Sequence, residues 1–432
     1  MERQENSKNR RIIVLSDGTW CGRETGTHTN IYHLATLMGL PADKQNAEDE
    51  YTWTTPTAHA RYRHGVGLNS TFLDYLFNGV TAQDLAKECI SAYKFIVNTY
   101  TGGNDIWLFG LSRGAYTVRC VAGMINNCGI VHPRRTNDQT ELLCQEVYRI
   151  YRSSYPINHP SSPQSKNFRR RNSWPLVGDE ENKESPRRPP VRFMGLFDTV
   201  GSLGIPTFTG GVGLEWPKFH DQDVSSVVDQ VYHLVSLHDR FYILQPCLAS
   251  RKDGSMSGIE EEWIPGVHYD LGGQRFRFFR SGAGRFEGLL AKYGLVSKTI
   301  EPNEVLADFA LVKMLKSIRN HDQSGIIPEN TMNSALESMQ ARIETGQNTG
   351  DGDVAKIVKY TPFGQYLWVL FTAAFRMAPS FWELLFALRD RLIPDSQANV
   401  YDFQTESLRE LARITPERYP SNTLQSWLQS WH

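Results

Sequence analysis

Residues 107–116 read WLFGLSRGAY and contain the pattern that decides the fold, a serine between two glycines after an apolar run. Residues 105–109 are predicted as a short buried strand, and residues 113–126 as the helix that follows it. A G-x-S-x-G sequence between a strand and a helix predicts a sharp turn that exposes the serine at the edge of a parallel sheet. We therefore expect Ser112 to be a nucleophile; the alternative is a serine that only belongs to a tight turn.

A serine nucleophile needs a base and an acid that orients the base. In α/β-hydrolases the acid and then the histidine follow the serine along the chain. Asp198 ends the apolar stretch VRFMGLFD (191–198), and His268 follows a short strand in WIPGVHYDLGG (263–273). This order predicts Ser112, Asp198 and His268 as a catalytic triad.

The acid and the base each have a plainer alternative. Asp198 is a helix-capping or turn residue if Asp239 is the acid, and His268 is an ordinary loop histidine if His233 or His238 is the base. His233 and His238 lie in an apolar segment, where a buried structural histidine is the expected interpretation.

The oxyanion that forms during acyl transfer needs two backbone N–H donors. We expect one from Arg113, next to the nucleophile, and the other from the turn after the first strand. In that turn, SDGTW (16–20) offers Gly18 or Thr19 as the donor. The alternative for Asp17 is that its side chain braces this turn.

Composition argues against several other classes of protein. The formal net charge of −1 over 432 residues gives no basic excess for a nucleic-acid partner. The six cysteines include no CxxC pair, so we expect buried thiols in a reducing compartment. The polar N-terminus predicts no secretory signal and a cytoplasmic protein. A metal site made of Asp17, His268 and Asp270 has no supporting spacing, and we expect no metal or organic cofactor.

Strands that alternate with helices predict an α/β fold with a mostly parallel sheet over residues 1–320. The stretch VYHLVSLHD (231–239) fits a strand or a helix equally well. Residues 153–190 are rich in proline, serine and charge, which predicts a flexible insertion at the surface. Residues 321–432 are predicted to form a helical C-terminal cap or lid.

The aromatic stretch 360–392 stands out within this C-terminal part. Its prolines, a glycine and an arginine interrupt the apolar run, which argues against a transmembrane helix. Two hypotheses remain: a pair of buried cap helices, or a lid that also contacts a membrane surface. In the second hypothesis, Trp368 and Phe371 line an apolar substrate pocket above Ser112.

Five stretches carry a resemblance to a known family: SDGTW (16–20), RHGVG (63–67), FGLSRGAYTVR (109–119), GLFDTVGS (195–202) and WIPGVHYDLGG (263–273). Together they resemble the α/β-hydrolase domain of the type VI secretion phospholipase effectors and their uncharacterised fungal and bacterial relatives. The resemblance covers about residues 10–320, and HLVSLHD (233–239) is a weaker match. It implies an α/β-hydrolase core, a Ser-Asp-His triad and acyl-ester hydrolysis, with phospholipids as substrates of the best-known members.

These observations together predict a serine hydrolase that cleaves an acyl ester of a lipid, a phospholipid or another small molecule. They predict a peripheral membrane contact and no nucleic-acid partner, and they name no protein partner. Two alternatives stay open. One is a thioesterase, lactonase or acyltransferase that acts on a small metabolite, and the other is a hydrolase-fold protein that binds lipid or membrane without catalysis.

Overall fold

The computed structural model describes residues 10–18, 28–41, 49–65, 82–177, 188–200, 223–239, 244–251, 256–274, 302–322, 325–345, 390–395, 398–401 and 421–431, and four two-residue strands between them. The strands are β1 Arg11–Ser16, β2 Glu50–Thr54, β3 Ala58–Arg63, β4 Ile106–Leu111, β5 Ile130–Val131, β6 Ser173–Trp174, β7 Val191–Phe197, β8 Thr207–Phe208, β9 Leu214–Glu215, β10 Val228–Ser236, β11 Ile259–Ile264, β12 Phe276–Arg277, β13 Thr299–Ile300 and β14 Asn399–Val400. The helices are α1 Asn30–Leu37, α2 Ala82–Thr99, α3 Arg113–Cys128, α4 Asn137–Tyr151, α5 Pro163–Asn172, α6 His268–Gly272, α7 Glu304–His321, α8 Glu329–Thr345 and α9 Asn422–Trp431, with a 3₁₀ turn at Pro156–Asn158.

Eight strands form one central sheet in the order β14-β11-β10-β7-β4-β1-β3-β2. Each neighbouring pair is parallel except β2 and β3, which are antiparallel. Parallel neighbours need long crossover connections, and helices on both faces of the sheet provide them. A mostly parallel sheet flanked by helices is the α/β-hydrolase fold that the sequence predicts.

Alternate residues of the strands supply two hydrophobic cores on opposite faces of the sheet. On β1, Ile13 and Leu15 belong to one core, and Ile12 and Val14 belong to the other. Helices α1, α7 and α8 contribute to the first core, and α2, α3 and α4 contribute to the second. Because both faces are covered, the central strands are mostly apolar, and β4 is buried at each of its residues.

Part of the segment predicted as a flexible insertion is an ordered helix, α5 at residues 163–172. Ser162 caps this helix through its side chain, and a proline occupies the first turn. Arg169 donates a hydrogen bond of 2.8 Å to the carbonyl oxygen of Asn127, which ties α5 to the end of α3. The serine and proline that suggested irregular chain are therefore the start of a helix. Residues 178–187 lie outside the described part of the chain.

The described parts of the C-terminal third pack directly on the core. Strand β14 extends the central sheet by pairing with β11, α8 packs on α7, and Leu424 of α9 is buried in the first core. Residues 346–389 lie outside the described residues, so the lid and the division of the chain at residue 320 stay predictions. No helix among the described residues has the length and apolar character to cross a membrane.

Candidate active site

Ser112 lies in the turn between β4 and α3 and has a backbone φ of 58°. Among the non-glycine residues that the structure describes, only Ser112 and Asp198 have a positive φ. Such a backbone is uncommon for a residue with a Cβ and concentrates at functional sites. A serine before a helix normally caps it, but the Ser112 side chain makes no capping hydrogen bond. The turn thus holds a hydroxyl that does not serve the helix, as expected for a nucleophile.

The two glycines that flank this serine are required by close packing. A Cβ on Gly114 would lie 2.1 Å from the carbonyl oxygen of Ser16, and a Cβ on Gly110 would lie 2.5 Å from Cα of Ala115. Helix α3 therefore begins directly against the end of β1. Any larger residue at these positions would push the serine turn away from the sheet.

We expect Gly114→Ala to lower the free energy of unfolding by about 3 kcal/mol, because the new Cβ overlaps a backbone oxygen of a central strand. Urea unfolding followed by circular dichroism measures this loss. The control is Asn126→Ala, a half-buried position on the same helix, which should change stability by about 0.5 kcal/mol or less. Wild-type stability in Gly114→Ala would contradict the tight contact between α3 and β1.

Asp198 follows β7, and His268 is the first residue of α6, so both lie at the carboxyl edge of the sheet. Nδ1 of His268 is 2.6 Å from Oδ2 of Asp198, and both side chains are buried. Because a carboxylate only accepts hydrogen bonds, this contact requires the proton of the neutral ring to be on Nδ1. Nε2 is then left with a lone pair and can act as a base.

Packing contacts bring these elements to the serine turn. The backbone N–H of Ser112 donates a hydrogen bond of 2.9 Å to the carbonyl oxygen of Phe197, the residue before Asp198. Helix α6 packs on the same turn, since a Cβ on Gly272 would lie 2.7 Å from Cδ2 of Leu111. The three predicted triad residues therefore lie at one edge of the sheet.

Asp239, the alternative acid, contacts the backbone of His268. Its Oδ2 accepts the His268 N–H at 3.1 Å. Burial raises the pKa of Asp239 above its ordinary value. This geometry favours Asp198 over Asp239 as the partner of the imidazole.

The two competing histidines hold backbone groups near the site. Nε2 of His233 accepts the N–H of Thr199 at 3.1 Å, and its Nδ1 lies 2.9 Å from Oε2 of Glu261. Nδ1 of His238 accepts the N–H of Gly266 at 3.1 Å. Both side chains are buried, so they match the structural histidines that the apolar segment predicts.

The turn after β1 is held by the side chain of Asp17. Its Oδ2 accepts hydrogen bonds from Thr29 Oγ1 at 2.6 Å and from Tyr62 Oη at 2.8 Å. Its Oδ1 accepts the backbone N–H of Gly18 at 2.8 Å. The expectation that Gly18 donates to an oxyanion does not fit this structure, because its N–H is already bound to Asp17. Gly18 instead packs on Ser112, since a Cβ on Gly18 would lie 3.1 Å from Cβ of Ser112.

Of the remaining predicted site residues, the structure describes only Arg113. Arg113 is the first residue of α3, directly after Ser112 and at the positive end of the helix dipole. Thr19, the second candidate donor, lies outside the described residues. So do Trp368 and Phe371, the predicted pocket residues.

The carboxylates considered for a metal site have separate partners. Asp270 accepts the N–H groups of Val267 and Asn303, each at 2.9 Å, and burial still raises its pKa to about 6. Asp17 holds the turn after β1, and His268 contacts Asp198. Across the described ranges, no three His, Cys, Asp or Glu side chains are arranged to hold a metal ion.

Arg391 is a residue of this site that the sequence did not single out. Its two terminal nitrogens donate to Oδ1 and Oδ2 of Asp198 at 2.6 and 2.9 Å. Burial alone would raise the pKa of Asp198, but the charge of Arg391 and hydrogen bonds from His268 and Arg391 hold it well below its ordinary value. No local pattern marks this arginine, because its partner is 193 positions away in the sequence.

Comparison with known proteins gives a family match over most of the chain. The model of the catalytic domain of the Tle1-like phospholipase effectors of type VI secretion matches residues 10–317. Uncharacterized protein YEL023C of Saccharomyces cerevisiae is 26% identical over 250 residues. This match covers 54% of the present chain but only 32% of the yeast protein, so the chain spans about a third of that relative's length.

Several solved structures are also similar, at low sequence identity. The Tle1 effector bound to the VgrG spike has a TM-score of 0.33 and 15% identity, with 78% of this chain and 80% of that chain covered. Esterase 2 of Thermogutta terrifontis phosphorylated by paraoxon has a TM-score of 0.26 and 11% identity, with 68% of this chain and 86% of that chain covered. Because the family model covers residues 10–317, the chain belongs to the family of Tle1-like phospholipase effector catalytic domains.

Proposed function

We propose that the chain is a serine hydrolase that cleaves an acyl ester, with Ser112 as nucleophile, His268 as base and Asp198 as the orienting acid. The observation that carries this proposal is the 2.6 Å contact between His268 Nδ1 and Asp198 Oδ2 at the edge that also holds the strained Ser112. Membership in a family described as phospholipase effectors supports ester cleavage as the class of reaction.

The reaction follows from the arrangement of these groups. His268 Nε2 takes the proton of Ser112 Oγ while this oxygen attacks the acyl carbonyl carbon. The oxyanion is stabilised by the backbone N–H of Arg113 and by a donor from the turn after β1, for which we propose Thr19. His268 then protonates the leaving alcohol and activates the water that releases the acyl group. Asp198 keeps the ring in the required tautomer and stabilises its charged form.

A lipid ester, and a phospholipid in particular, is the substrate class that we propose. The family description supports it, and so does the aromatic stretch 360–392, whose side chains suit an apolar acyl chain. Peripheral contact of this stretch with a membrane surface is part of the same proposal, because aromatic rings favour the boundary between lipid and water. No metal or organic cofactor enters the proposed mechanism.

A substrate panel tests the proposed function. The purified chain is given short- and long-chain p-nitrophenyl esters, an acyl thioester, a lactone and phosphatidylcholine vesicles. We expect hydrolysis of the carboxylic esters and release of fatty acid from the vesicles. Turnover of the thioester or lactone alone would replace the proposal with one of the small-metabolite activities. Binding to vesicles without any turnover would indicate a lipid-binding protein.

We expect Trp368→Ala and Phe371→Ala to lower kcat/KM for long-chain esters about 10-fold relative to short-chain esters, because each change removes apolar contact with the acyl chain. The measurement is the ratio of the two kcat/KM values on p-nitrophenyl esters. Leu142→Ala is the control, since this leucine is an exposed apolar residue on α4. An unchanged ratio in folded variants would remove both residues from the pocket.

A further inference from the structure

We propose that Arg391 is a positioning residue for the triad. It fixes the carboxylate of Asp198 and sets the pH at which activity is lost on the acidic side. This inference rests on the proposed function, since it concerns the acid of that triad. Arg391 and Asp198 are fully buried, with 0% of each residue exposed. The pair therefore interacts where water does not screen its charges.

The hydrogen bonds of Asp198 leave its carboxylate a single orientation. Oδ1 accepts from Arg391 at 2.6 Å and from the backbone N–H of Ser236 at 2.9 Å. Oδ2 accepts from Arg391 at 2.9 Å and from Nδ1 of His268 at 2.6 Å. Oγ of Ser236 also donates to Oδ2 at 3.3 Å, so the donors occupy all of the roughly four acceptor sites of the carboxylate. Rotation of the carboxylate would break at least one contact with the guanidinium.

The guanidinium is itself anchored to the sheet independently of Asp198. One terminal nitrogen donates to the carbonyl oxygen and to Oγ of Ser236, at 2.9 and 2.7 Å. The other donates to the carbonyl oxygen of Leu244. These acceptors belong to the end of β10 and the segment beyond it. They fix the position of the planar guanidinium fork through contacts other than those with the carboxylate of Asp198. Lysine has no such fork and cannot reproduce this set of bonds.

The charges around Asp198 determine when its carboxylate takes up a proton. Among the described residues, the titratable or charged groups that face Asp198 are Arg391, His268 and Asp239. Burial alone would raise the pKa of Asp198, and the positive charge of Arg391, which donates to both carboxylate oxygens, opposes that protonation. A protonated Asp198 would not stabilise the positive charge that His268 acquires during the reaction. The guanidinium therefore keeps Asp198 ionised at lower pH.

We expect Arg391→Gln to move the acidic limb of the kcat/KM profile to higher pH by about one unit, because a positive charge that opposed protonation is gone. We expect Arg391→Lys to keep the limb near its wild-type position, since the charge remains. Its kcat should fall about 10-fold at unchanged KM, because the fork that orients the carboxylate is lost. The experiment measures kcat and KM on a p-nitrophenyl ester from pH 5 to pH 9.

The matched control is Arg342→Gln. Arg342 also forms a two-point contact with a carboxylate, with distances of 2.7 and 2.8 Å to Asp308, but this pair lies at the surface. A role limited to holding the fold would lower activity equally at each pH and leave the limb in place. A folded Arg391→Gln variant with a wild-type limb would overturn the inference. If Arg391→Gln does not fold, the kcat of Arg391→Lys is the test. A wild-type kcat in Arg391→Lys would overturn the inference.

The same assay separates this inference from the function on which it rests. Activity that survives Ser112→Ala defeats the proposed triad, whatever the Arg391 variants do. Loss of activity in Ser112→Ala and His268→Ala, combined with unchanged pH profiles and kcat in the Arg391 variants, defeats only the role of Arg391.

Discussion

Ser112→Ala should reduce hydrolysis of each ester that the wild-type chain cleaves by a factor on the order of 10⁶, since removal of a triad serine eliminates the covalent step. The fold should survive, because the hydroxyl makes no helix-capping bond and alanine only removes one oxygen. Alanine at position 112 must still adopt the positive φ of the turn. The close packing at Gly110 and Gly114, including the contact of Gly114 with β1, imposes this backbone conformation. The measurement is kcat/KM on the best ester of the panel.

Ser165→Ala is the matched control for this change. Ser165 is a buried serine on α5, away from the sheet edge that holds the candidate site, and its loss should leave kcat/KM within about twofold of wild type. Near-full activity in Ser112→Ala, with circular dichroism showing an intact fold, would reject Ser112 as the nucleophile.

His268→Ala should be as damaging as the serine change, because base and nucleophile act as a unit. Asp198→Asn should cost up to about 10⁴ in kcat, because an amide nitrogen at Oδ2 would repel the Nδ1 proton and favour the wrong tautomer. The short contact between Nδ1 and Oδ2 is the structural reason for this expectation. Measurements of kcat on one ester at neutral pH compare the two variants.

Two control variants accompany this comparison. His159→Ala changes an exposed histidine in the loop before α5 and should leave kcat unchanged. Asp239→Asn alters a carboxylate that accepts the backbone N–H of His268, so it should cost less than Asp198→Asn. A larger loss in Asp239→Asn than in Asp198→Asn would make Asp239 the acid.

The serine turn was predictable because its signal is local. A buried strand, the G-x-S-x-G pattern and a helix follow each other within residues 105–128, and close packing at Gly110 and Gly114 explains why glycine is needed there. The order of Ser112, Asp198 and His268 along the chain added the rest of the candidate triad. The structure then shows Asp198 and His268 in contact, which spacing alone could not establish.

Residues 231–239 were ambiguous because a buried strand and a buried helix are both apolar throughout. Strand β10 lies between β7 and β11 and pairs with both in parallel, so tertiary pairing rather than local pattern decides its conformation. The helix at 163–172 differs from the prediction for another reason, because proline and serine are common in loops and are also common at the start of a helix.

The candidate site also contains features that depend on distant contacts. Arg391 is 193 positions from its partner Asp198 in the sequence. Asp17, which binds the N–H of Gly18, is itself held by Thr29 and Tyr62, which lie 12 and 45 positions away in the sequence. Hydrogen bonds between segments that far apart leave no periodicity in the sequence. Only the fold brings these groups together.

Covalent labelling with a fluorophosphonate tests the central claim most directly, because this reagent reacts with an activated serine and mimics the tetrahedral intermediate. The labelled protein is digested and the adduct is located by tandem mass spectrometry, with Ser112→Ala and His268→Ala treated in parallel. We expect one adduct on Ser112 in the wild-type chain, none in Ser112→Ala, and strongly slowed labelling in His268→Ala. Ester hydrolysis by a chain whose Ser112 stays unlabelled, or labelling of another serine, would contradict the account.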